Sequence, residues 1–444
     1  MELAGKQVVI VGLGASGIAA ARLCLSKGAI VTGTDSRELG ELSDEVRSLP
    51  VRLCVGGHHG AGIQSADLVV VSPGVPQLPE LQRAEQLGVP VIGELDLAAQ
   101  VSDAPMIAVG GTNGKSTVTT LLAQMFSYEL AQVFSGGNLG TPLSDAVTNH
   151  WDIMVVEVSS FQLERAPHFH PRVAILLNIT EDHLDRYENF DAYANAKGNA
   201  FARQGAHDVA IIPAGDRRCE LQARRGCARI QTFGADGDYE PQGRRIVERS
   251  TGERFDFDTS RLFGKHNALN VAACVAAARA LDLGKAPIER ALAEYVPLPH
   301  RMAYVAEIGG VRFYDDSKGT NVGASVSALQ GLQEPRGVLI AGGRDKWGDY
   351  GPLAQALAAK GRAVVLVGEA ASRIAESTRD LLPTVIVDDL QQAVEVAFEH
   401  AQHGDAVLLS PACASFDMFK SYSERGEQFV AAVMRLQDRG GTAA

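Results

Sequence analysis

The sequence is short of the features that mark secreted and membrane proteins. Its six cysteines are scattered over 444 residues without a C-x-x-C pair, which fits reduced thiols better than a disulfide framework or a zinc site. No run of about 18 uncharged apolar residues occurs, so nothing indicates a membrane span. The N-terminus also lacks a secretory signal pattern. We therefore expect a cytoplasmic protein that is not inserted in a membrane.

Positive charge is also scarce. The chain has 41 Lys and Arg against 53 Asp and Glu, a formal net charge of −12. Binding to a nucleic-acid backbone needs a basic face, so we expect no nucleic-acid partner. Anionic small molecules are still possible ligands, because a binding site can be locally positive in a protein of negative net charge. At this length, with 46% apolar residues and no low-complexity tract, two to four globular domains are expected.

Short apolar strands alternate with helices throughout the chain, which indicates parallel β-α-β units. Three blocks separate by pattern, at 1–92, 93–297 and 298–444. A Pro-rich stretch at 295–302, YVPLPHRM, predicts a linker because proline stops helices and stiffens connections. The sequence therefore predicts an α/β protein of three domains with mostly parallel sheets.

The first phosphate-loop candidate lies near the N-terminus. The strand Val8–Val11 leads into a Gly-x-Gly-x-x-Gly loop at 12–17 that opens a helix, and Asp35 ends the next strand. Backbone N–H groups and the helix N-terminus suit a diphosphate there. Taken alone, the motif favours a nicotinamide or flavin cofactor over a structural turn. A sugar nucleotide offers the same diphosphate and ribose, so both ligands stay open.

The second candidate is GGTNGKST at 110–117. It ends like a P-loop, although Val109 stands where the strict spacing requires glycine. Lys115 suits the β and γ phosphates of a nucleotide, and the hydroxyl of Ser116 or Thr117 suits magnesium. Glu157 ends an apolar strand downstream, where a carboxylate could hold the same ion. The alternative is a glycine-rich turn without a ligand.

Several strings resemble one family along essentially the whole chain: GTNGKST, VVEVSSFQLE, NITEDHLDRY, KHNALN, PHRM, DDSKGTN and LSPACASFDMFKSYSERGEQF. They resemble the Mur ligase family of ATP-dependent, amide-forming enzymes in peptidoglycan synthesis. Within the family, the sequence is most similar to members that add D-glutamate to UDP-N-acetylmuramoyl-L-alanine. The Asp-Asn-Pro-Arg signature of the diaminopimelate-adding relatives is absent.

The resemblance implies which domain holds which substrate. The first domain, 1–92, would be Rossmann-like and bind the UDP-sugar. The second, 93–297, would be a P-loop-type ATPase domain, and the third, 298–444, a Rossmann-like domain that binds the amino acid. The first loop would then hold the diphosphate of a substrate, not of a cofactor. The residues that the resemblance assigns to the UDP-sugar are Ala15, Ser16, Asp35, Ser36, Ser72, Gly74 and Asn138.

The implied reaction has two steps. The alanine carboxylate attacks the γ-phosphate of ATP to give an acyl phosphate, and the amine of D-glutamate then displaces phosphate. The first step brings two anions together, so it needs positive charge and placement. The implied ATP residues are Gly111, Thr112, Asn113, Gly114, Lys115, Ser116, Thr117, Asn267, Asn270, Arg301 and Asp316.

Two magnesium ions and a modified lysine are implied as well. Ser116 and Glu157 would serve the first ion, and His183 and a carbamylated Lys197 the second. Asp182 and Asp185, beside His183, leave the ligand set open. Lys115, His183 and Lys197 would be the catalytic residues. From the bottom up, a lone histidine and a helical lysine are most often structural or exposed residues, so these two roles depend on the resemblance.

D-glutamate has two carboxylates, which call for cations and hydroxyl donors. The residues that fit by type and by family position are Lys318, Thr320, Ser415 and Tyr422. Tyr422 departs from the phenylalanine common in this type. Asp345 and Lys346 lie in a loop that is expected near the same pocket, or in an ordinary charged turn. The enzyme is expected to be a monomer.

Two other classes of function are alternatives to the ligase. One is an NAD-dependent oxidoreductase fused to a P-loop domain, and the other is a nucleotide sensor without turnover. Neither gives DDSKGTN and SPACASFD a role. Within the ligase class, the alternative is a relative that adds another amino acid or acts on folate.

Overall fold

A computed structural model of the chain describes residues 1–184 and 186–441. The strands form three sheets, of five, nine and six strands. Strands and helices alternate along the chain, and most neighbouring strands are parallel. The predicted α/β class with mostly parallel sheets is therefore confirmed.

The first sheet is built from residues 7–93. Its strands are β1 Gln7–Val11, β2 Ile30–Thr34, β3 Arg52–Cys54, β4 Leu68–Val71 and β5 Val91–Gly93. Its helices are α1 Ala15–Ser26, α2 Asp44–Arg47, α3 Pro79–Gln86 and α4 Glu94–Ala99. The strand order is β3-β2-β1-β4-β5, with every pair parallel. All four residues of β4 are buried, as expected for a parallel strand covered on both faces.

The second sheet is the largest. Its strands are β6 Met106–Gly110, β7 Val133–Gly137, β8 Ile153–Glu157, β9 Val173–Leu176, β10 Val209–Pro213, β11 Arg229–Phe233, β12 Tyr239–Pro241, β13 Arg245–Glu248 and β14 Arg254–Asp256. They are ordered β14-β13-β12-β11-β10-β9-β6-β8-β7. Pairing is parallel except at β12-β13 and β13-β14. The central strands β6, β8 and β9 are buried along their whole length.

Seven helices follow α4 before the third sheet begins. They are α5 Lys115–Ser127, α6 Leu143–Ala146, α7 Ser160–Leu163, α8 Phe190–Gly198, α9 Arg217–Ala223, α10 Lys265–Ala280 and α11 Lys285–Glu294. In α5, the residues at positions 118, 121, 122 and 125 are fully buried, which is the spacing of one helix face. Residues 295–302 belong to no helix or strand, as their proline content predicts.

The third sheet is built from residues 303–409. Its strands are β15 Ala303–Ile308, β16 Val311–Asp315, β17 Gly337–Gly342, β18 Gly361–Val367, β19 Thr384–Ile386 and β20 Ala406–Leu409, and its helices are α12 Val322–Gly331, α13 Gly351–Lys360, α14 Ala371–Thr378, α15 Leu390–His400 and α16 Tyr422–Gly441. The order is β15-β16-β20-β17-β18-β19, and only β15-β16 is antiparallel. Leu339 and Ile340 point to opposite faces, and each is buried in a separate apolar cluster.

The chain divides into two compact units. Among the described residues, one comprises 1–179, 191–259 and 269–294, and the other comprises 180–184, 186–190, 260–268 and 295–441. Residues 180–190 and 260–268 therefore pack with the third sheet, whereas the predicted boundaries count them with the second. The domain boundaries at 92/93 and 297/298 stay predictions. Across the described ranges, no helix has the length and apolar character required to cross a membrane.

Candidate functional site

The glycine loop between β1 and α1 is held by side chains from two other strand ends. Gly12 has a φ of +86°, and a Cβ on Gly17 would lie 1.9 Å from Gly12 O, so neither position tolerates a larger residue without strain. The Leu13 N–H donates to Asp35 Oδ2 at 2.8 Å, and Ser72 Oγ donates to Gly12 O at 2.7 Å. Asp35 follows β2 and Ser72 follows β4, the two neighbours of β1.

Asp35 also forms a two-point ion pair with Arg37. Arg37 Nε donates to Oδ1 at 2.9 Å and Nη2 to Oδ2 at 2.8 Å. Burial alone would raise the pKa of Asp35, but the hydrogen bonds from Arg37 and from the Leu13 amide outweigh it and hold the pKa well below its usual range. The carboxylate is therefore ionised and fixed against the loop. Sequence reasoning missed Arg37.

The other residues predicted for the UDP-sugar lie at the carboxyl ends of adjacent parallel strands, with one exception. Ala15 and Ser16 begin α1, Ser36 follows β2, and Gly74 follows β4. These strands are neighbours in the first sheet, so their loops share one edge. Asn138 follows β7 of the second sheet, where its Nδ2 donates to Glu157 Oε1 at 2.9 Å.

The second loop, between β6 and α5, is shaped by an asparagine that the sequence did not single out. Asn178 follows β9, the strand beside β6. Its Oδ1 accepts the N–H groups of Thr112 and Asn113 at 3.1 and 2.9 Å, and its Nδ2 donates to Asn113 O at 3.1 Å. One amide thus fixes the turn on both sides. Gly111 and Gly114 have φ values of +137° and +88°.

Three predicted residues lie around the second loop. Lys115 Nζ donates to Thr112 O at 2.8 Å, so the ammonium lies over the backbone that would hold phosphates. Asn270 packs at the start of α5, where a Cβ on Gly114 would come within 2.5 Å of its Oδ1. Thr117 is buried in the first turn of α5. The structure therefore brings these members of the predicted ATP set together.

Ser116 and Glu157 form a buried pair of oxygen donors. Ser116 Oγ donates to Glu157 Oε2 at 2.6 Å, and both side chains are almost inaccessible to solvent. A hydroxyl and a carboxylate in contact are ligands that magnesium prefers. No group of three or more His, Cys, Asp and Glu that could hold a metal occurs within 1–184 and 186–441. The pair supplies two of the oxygen ligands that a magnesium ion needs.

Lys197 is buried against the second loop. Its side chain is 3% exposed, Nζ donates to Gly111 O at 2.9 Å, and Nζ lies 4.5 Å from the centre of the Tyr193 ring. The Tyr193 hydroxyl is 3.1 Å from Thr112 Oγ1. Helix α8 thus contacts the loop through two side chains, of which the sequence indicated only the lysine.

His183 lies in the other compact unit, beside a buried carboxylate. Its backbone has a φ of +57°, and its N–H donates to Asp182 Oδ1 at 2.9 Å. Asp182 also pairs with Lys346 Nζ at 2.9 Å and accepts from Asn321 Nδ2 at 3.1 Å. Burial raises the pKa of Asp182, but the charges of Lys346 and His183 lower it by more, so the net pKa is below its usual value. Asp185 lies outside the described residues.

Asp316 uses both carboxylate oxygens within its own unit. It accepts the Met302 N–H at 3.2 Å and the Ser410 hydroxyl at 2.7 Å, and burial raises its pKa to about 7. These contacts hold the turn at 300–302, where His300 and Met302 have positive φ values. Arg301 lies in this turn.

Asn267 is the remaining member of the predicted ATP set. Its Nδ2 donates to Phe263 O at 2.8 Å. Asn267 belongs to the compact unit that contains the third sheet, whereas Asn270, in the same helix, belongs to the other unit.

The residues predicted for D-glutamate lie on two loops and one helix end. Lys318 Nζ donates to the Tyr422 hydroxyl at 3.1 Å and lies 4.6 Å from its ring centre. Burial raises the pKa of Tyr422, but Lys318 lowers it more, and the net pKa is below the usual value. Ser415 is buried. The Thr320 N–H donates to Lys318 O at 2.8 Å.

The loop RDKWGD contains buried charge, so it is not an ordinary exposed turn. Asp345 is 9% exposed, accepts from Tyr350 Oη at 3.0 Å and pairs with Arg373. Lys346 points to Asp182, as described above. Neither the Asp345–Arg373 pair nor the Lys346–Asp182 pair could be read from the sequence, because their partners lie 28 and 164 residues away.

Comparisons with known proteins identify the family. Profiles of three domain families match in succession: the Mur ligase MurD-like N-terminal domain over 6–93, the Mur ligase middle domain over 109–278, and the Mur ligase glutamate ligase domain over 300–413. A UDP-N-acetylmuramoylalanine–D-glutamate ligase from Syntrophotalea carbinolica is 44% identical over 453 positions, covering 99% of this chain and 100% of the relative. The chain belongs to the Mur ligase family.

Other relatives agree with this assignment. The ligase of the same name from Geobacter metallireducens is 43% identical, covering 98% of this chain and 99% of its own length. Among solved Mur ligase structures, MurF from Acinetobacter baumannii has a TM-score of 0.63 at 16% identity, covering 98% of this chain and 91% of its own. UDP-N-acetylmuramate-alanine ligase MurC from Thermotoga maritima has a TM-score of 0.61 at 21% identity, covering 97% of this chain and 99% of its own. These structures share the fold, and the predicted three-domain α/β organisation and family resemblance are confirmed.

Proposed function

We propose that this Mur ligase joins D-glutamate to UDP-N-acetylmuramoyl-L-alanine with the hydrolysis of ATP, in peptidoglycan precursor synthesis. The observation that carries the proposal is the full-length match to relatives that are named for this reaction, at 40–44% identity. The match extends through all three family domains, so it includes both phosphate loops and the loops of the third sheet. This reaction explains why the chain has two phosphate loops: the loop at 12–17 holds the diphosphate of the UDP-sugar, and the loop at 110–117 holds ATP.

The glycine loop is assigned to the diphosphate of the UDP-sugar. The loop leads into the N-terminus of α1, where the helix dipole favours an anion. Asp35 and Ser72 fix the loop through the Leu13 N–H and Gly12 O. Removal of the Asp35 or the Ser72 side chain should therefore weaken binding of the sugar nucleotide, even if that side chain does not contact the ligand. Ala15, Ser16, Ser36 and Gly74 lie at the same sheet edge, and Asn138 is assigned to the sugar-alanine portion.

The second loop is assigned to ATP. Asn178 holds the Thr112 and Asn113 amides in place before a ligand binds. The loop therefore does not need to rearrange when phosphate binds. Lys115 supplies positive charge to the β and γ phosphates. Asn270 packs at the end of the loop. The remaining members assigned to ATP by the resemblance are Gly111, Gly114, Thr117, Asn267, Arg301 and Asp316.

Magnesium is the cofactor that the loop chemistry supports. The Ser116 hydroxyl and Glu157 carboxylate would hold the ion, with Asn138 orienting the second carboxylate oxygen. When bound, the ion neutralises phosphate charge as the γ-phosphoryl group transfers. We also propose a second ion with His183 and a carbamylated Lys197, which depends on the family resemblance. The position of Lys197, buried with its Nζ against Gly111 O, supports this proposal because a carboxylate on that side chain would lie beside the second loop.

The chemistry then runs in two balanced steps. An oxygen of the alanine carboxylate bonds to the γ-phosphorus as the bond to ADP breaks, which gives an acyl phosphate. The neutral amine of D-glutamate attacks the acyl carbon, the bond to the phosphate oxygen breaks, and the amine loses a proton. Lys318 suits a glutamate carboxylate by charge, and Thr320, Ser415 and Tyr422 offer hydroxyl donors.

We propose that the enzyme works as a monomer in the cytoplasm. All six cysteines are free thiols, which fits a reducing compartment.

An isotope experiment tests the mechanism directly. UDP-N-acetylmuramoyl-L-alanine labelled with ¹⁸O in its alanine carboxylate is incubated with ATP and D-glutamate, and inorganic phosphate is analysed by mass spectrometry. One ¹⁸O should appear in the phosphate, because the acyl phosphate bridge leaves with it. Unlabelled phosphate alongside amide product would contradict the acyl-phosphate route. Absence of amide product would contradict the proposed function itself.

A further inference from the structure

The first turn of α16 buries a second polar side chain beside Tyr422. Arg425 is 2% exposed and lies three residues further on, hence on the same helix face. Its four hydrogen bonds all go to neutral oxygens. Nε donates to Ser317 Oγ at 3.0 Å and Nη2 to Ser317 O at 2.8 Å, while Nη1 donates to Cys413 O at 3.2 Å and Ala414 O at 3.3 Å.

These oxygens belong to two loops that carry the proposed D-glutamate residues. The lysine loop, residues 316–320, follows β16 and contains Lys318 and Thr320. The serine loop, residues 410–415, follows β20 and ends at Ser415. Because β16 and β20 are paired in parallel, both loops leave the same edge of the third sheet.

The contacts of Arg425 are immediate neighbours of the assigned residues. Ser317 precedes Lys318, and Ala414 precedes Ser415. Two further hydrogen bonds join the two loops: the Ala412 N–H donates to Gly319 O at 2.9 Å, and Ser410 Oγ donates to Asp316 Oδ2 at 2.7 Å. Ser317 Oγ also donates to the carbonyl of Tyr422 at 2.8 Å, which ties the helix end to the same cluster.

We propose that Arg425 is a positioning residue that sets the spacing of the lysine loop and the serine loop, and thereby the affinity for D-glutamate. The inference rests on the proposed function, since it takes the D-glutamate assignments as given. Arg425 does not contact the substrate in this account. It acts on Lys318 and Ser415 through their chain neighbours Ser317 and Ala414, whose carbonyl oxygens accept its hydrogen bonds.

The chemistry of the guanidinium explains why arginine is needed. A planar fork with five N–H donors can reach two loops at once, whereas lysine has three donors on a single point. Burying a cation is costly, and the negative charges of Asp417, Asp315 and Asp316 offset part of that cost. Burial lowers the pKa of Arg425 to about 10, so the group stays protonated at neutral pH. Without it, the buried carbonyl groups of Ser317 and Cys413 lose the hydrogen bonds from Arg425, whereas Ala414 O keeps the Arg344 N–H.

The test compares Michaelis constants for the two small substrates. Arg425→Met, Arg425→Lys and Arg425→Ala are assayed as full-length enzyme alongside Arg435→Ala, an exposed arginine of the same helix. We expect the KM for D-glutamate to rise about 10- to 100-fold in Arg425→Met, because displacement of binding groups by about 1 Å has effects of this size. The KM for ATP should change less than about twofold. Arg435→Ala should match the wild type in both.

Rescue separates positioning from general damage to the fold. Millimolar guanidinium ion added to Arg425→Ala should lower the KM for D-glutamate towards the wild-type value, and equal concentrations of ammonium should not. An unchanged KM for D-glutamate in folded Arg425→Met, or a parallel rise of both KM values, would overturn the inference. If Arg425→Ala and Arg425→Met fail to fold, the ratio of the two KM values in Arg425→Lys decides in the same way. An inactive wild type would instead count against the proposed function.

Discussion

At the scale of a residue, Lys115 supplies the positive charge that the proposed reaction needs to bring the carboxylate and the γ-phosphate together. Its ammonium already lies 2.8 Å from Thr112 O on the second loop. We predict that Lys115→Ala lowers kcat at least 100-fold, since a preorganised charge of this kind commonly contributes about 3 kcal/mol or more. Steady-state phosphate release measures this. The exposed Lys27→Ala variant should keep wild-type turnover, and near-normal turnover by folded Lys115→Ala would refute the ATP assignment of the loop.

Substitutions of Lys197 test whether a carbamylated lysine is needed at the second loop. Lys197→Arg keeps a cation and a donor for Gly111 O but cannot form a carbamate, so we predict that it is nearly inactive. Lys197→Ala should also be inactive, and acetate should partly restore its turnover by supplying carboxylate oxygens. Wild-type protein exposed to ¹³C-bicarbonate should show a carbamate ¹³C resonance that both variants lack.

Two results would count against the carbamate. One is substantial activity in Lys197→Arg, which would mean that the ammonium is the functional form. The other is a ¹³C spectrum of active enzyme without a carbamate signal. Circular dichroism of each variant checks that the fold is intact.

At the scale of an element, α4 connects the first two sheets through a buried carboxylate. Glu94 begins the helix, is 1% exposed, and accepts the Ser144 N–H of α6 at 2.6 Å. Burial raises the pKa of Glu94 from 4.5 to about 7. The unfolded chain therefore loses this proton at lower pH than the folded chain does. Consequently, this group makes the free energy of unfolding fall as pH rises from about 4.5 to about 7.

We predict that Glu94→Gln stabilises the enzyme at pH 8. Glutamine keeps an acceptor for the Ser144 N–H and removes the buried charge, and the pKa difference corresponds to about 3 kcal/mol. The gain should shrink towards pH 5, where the native glutamate is protonated. Thermal unfolding at both pH values measures it. Glu85→Gln, which breaks an exposed pair with Arg165, should change the midpoint little. A loss of stability at pH 8 in Glu94→Gln would contradict this account.

The regular elements could be predicted because their signals are local. The strand predicted at Val8–Val11 agrees with β1 to within one residue, and the strand predicted to end at Glu157 is β8. The antiparallel strands β12, β13 and β14 gave no signal, since each has three or four residues and many are charged. Their pairing depends on neighbours, not on periodicity.

The site could be predicted only where a motif carried it. Both glycine loops were visible, as were the loops with Lys318 and Ser415. Asn178 and Arg425 were not, because what matters is a hydrogen bond to backbone that is distant in sequence; Arg37 was missed although its partner, Asp35, is two residues away. Asn178 is 65 residues from Asn113, and Arg425 is 108 residues from Ser317. No spacing rule links such pairs.

At the scale of the whole molecule, the two loops should separate two nucleotides. We predict that UDP-N-acetylmuramoyl-L-alanine binds stoichiometrically in calorimetric titration and that NADH does not, although the glycine motif alone favours a dinucleotide. Gly17→Ala should abolish UDP-sugar binding, because its Cβ would lie 1.9 Å from Gly12 O. Gly40→Ala, which has open space around its Cβ, should bind normally. Tight binding of NADH would contradict the assignment.

The most direct test of the central claim is the substrate dependence of phosphate release. Purified enzyme with ATP and magnesium is given UDP-N-acetylmuramoyl-L-alanine and each member of a panel of amino acids, singly and together. The account predicts sustained phosphate release with an equal amount of amide product only when the UDP-sugar and D-glutamate are both present. Equal turnover with another amino acid, or sustained release without the UDP-sugar, would contradict it.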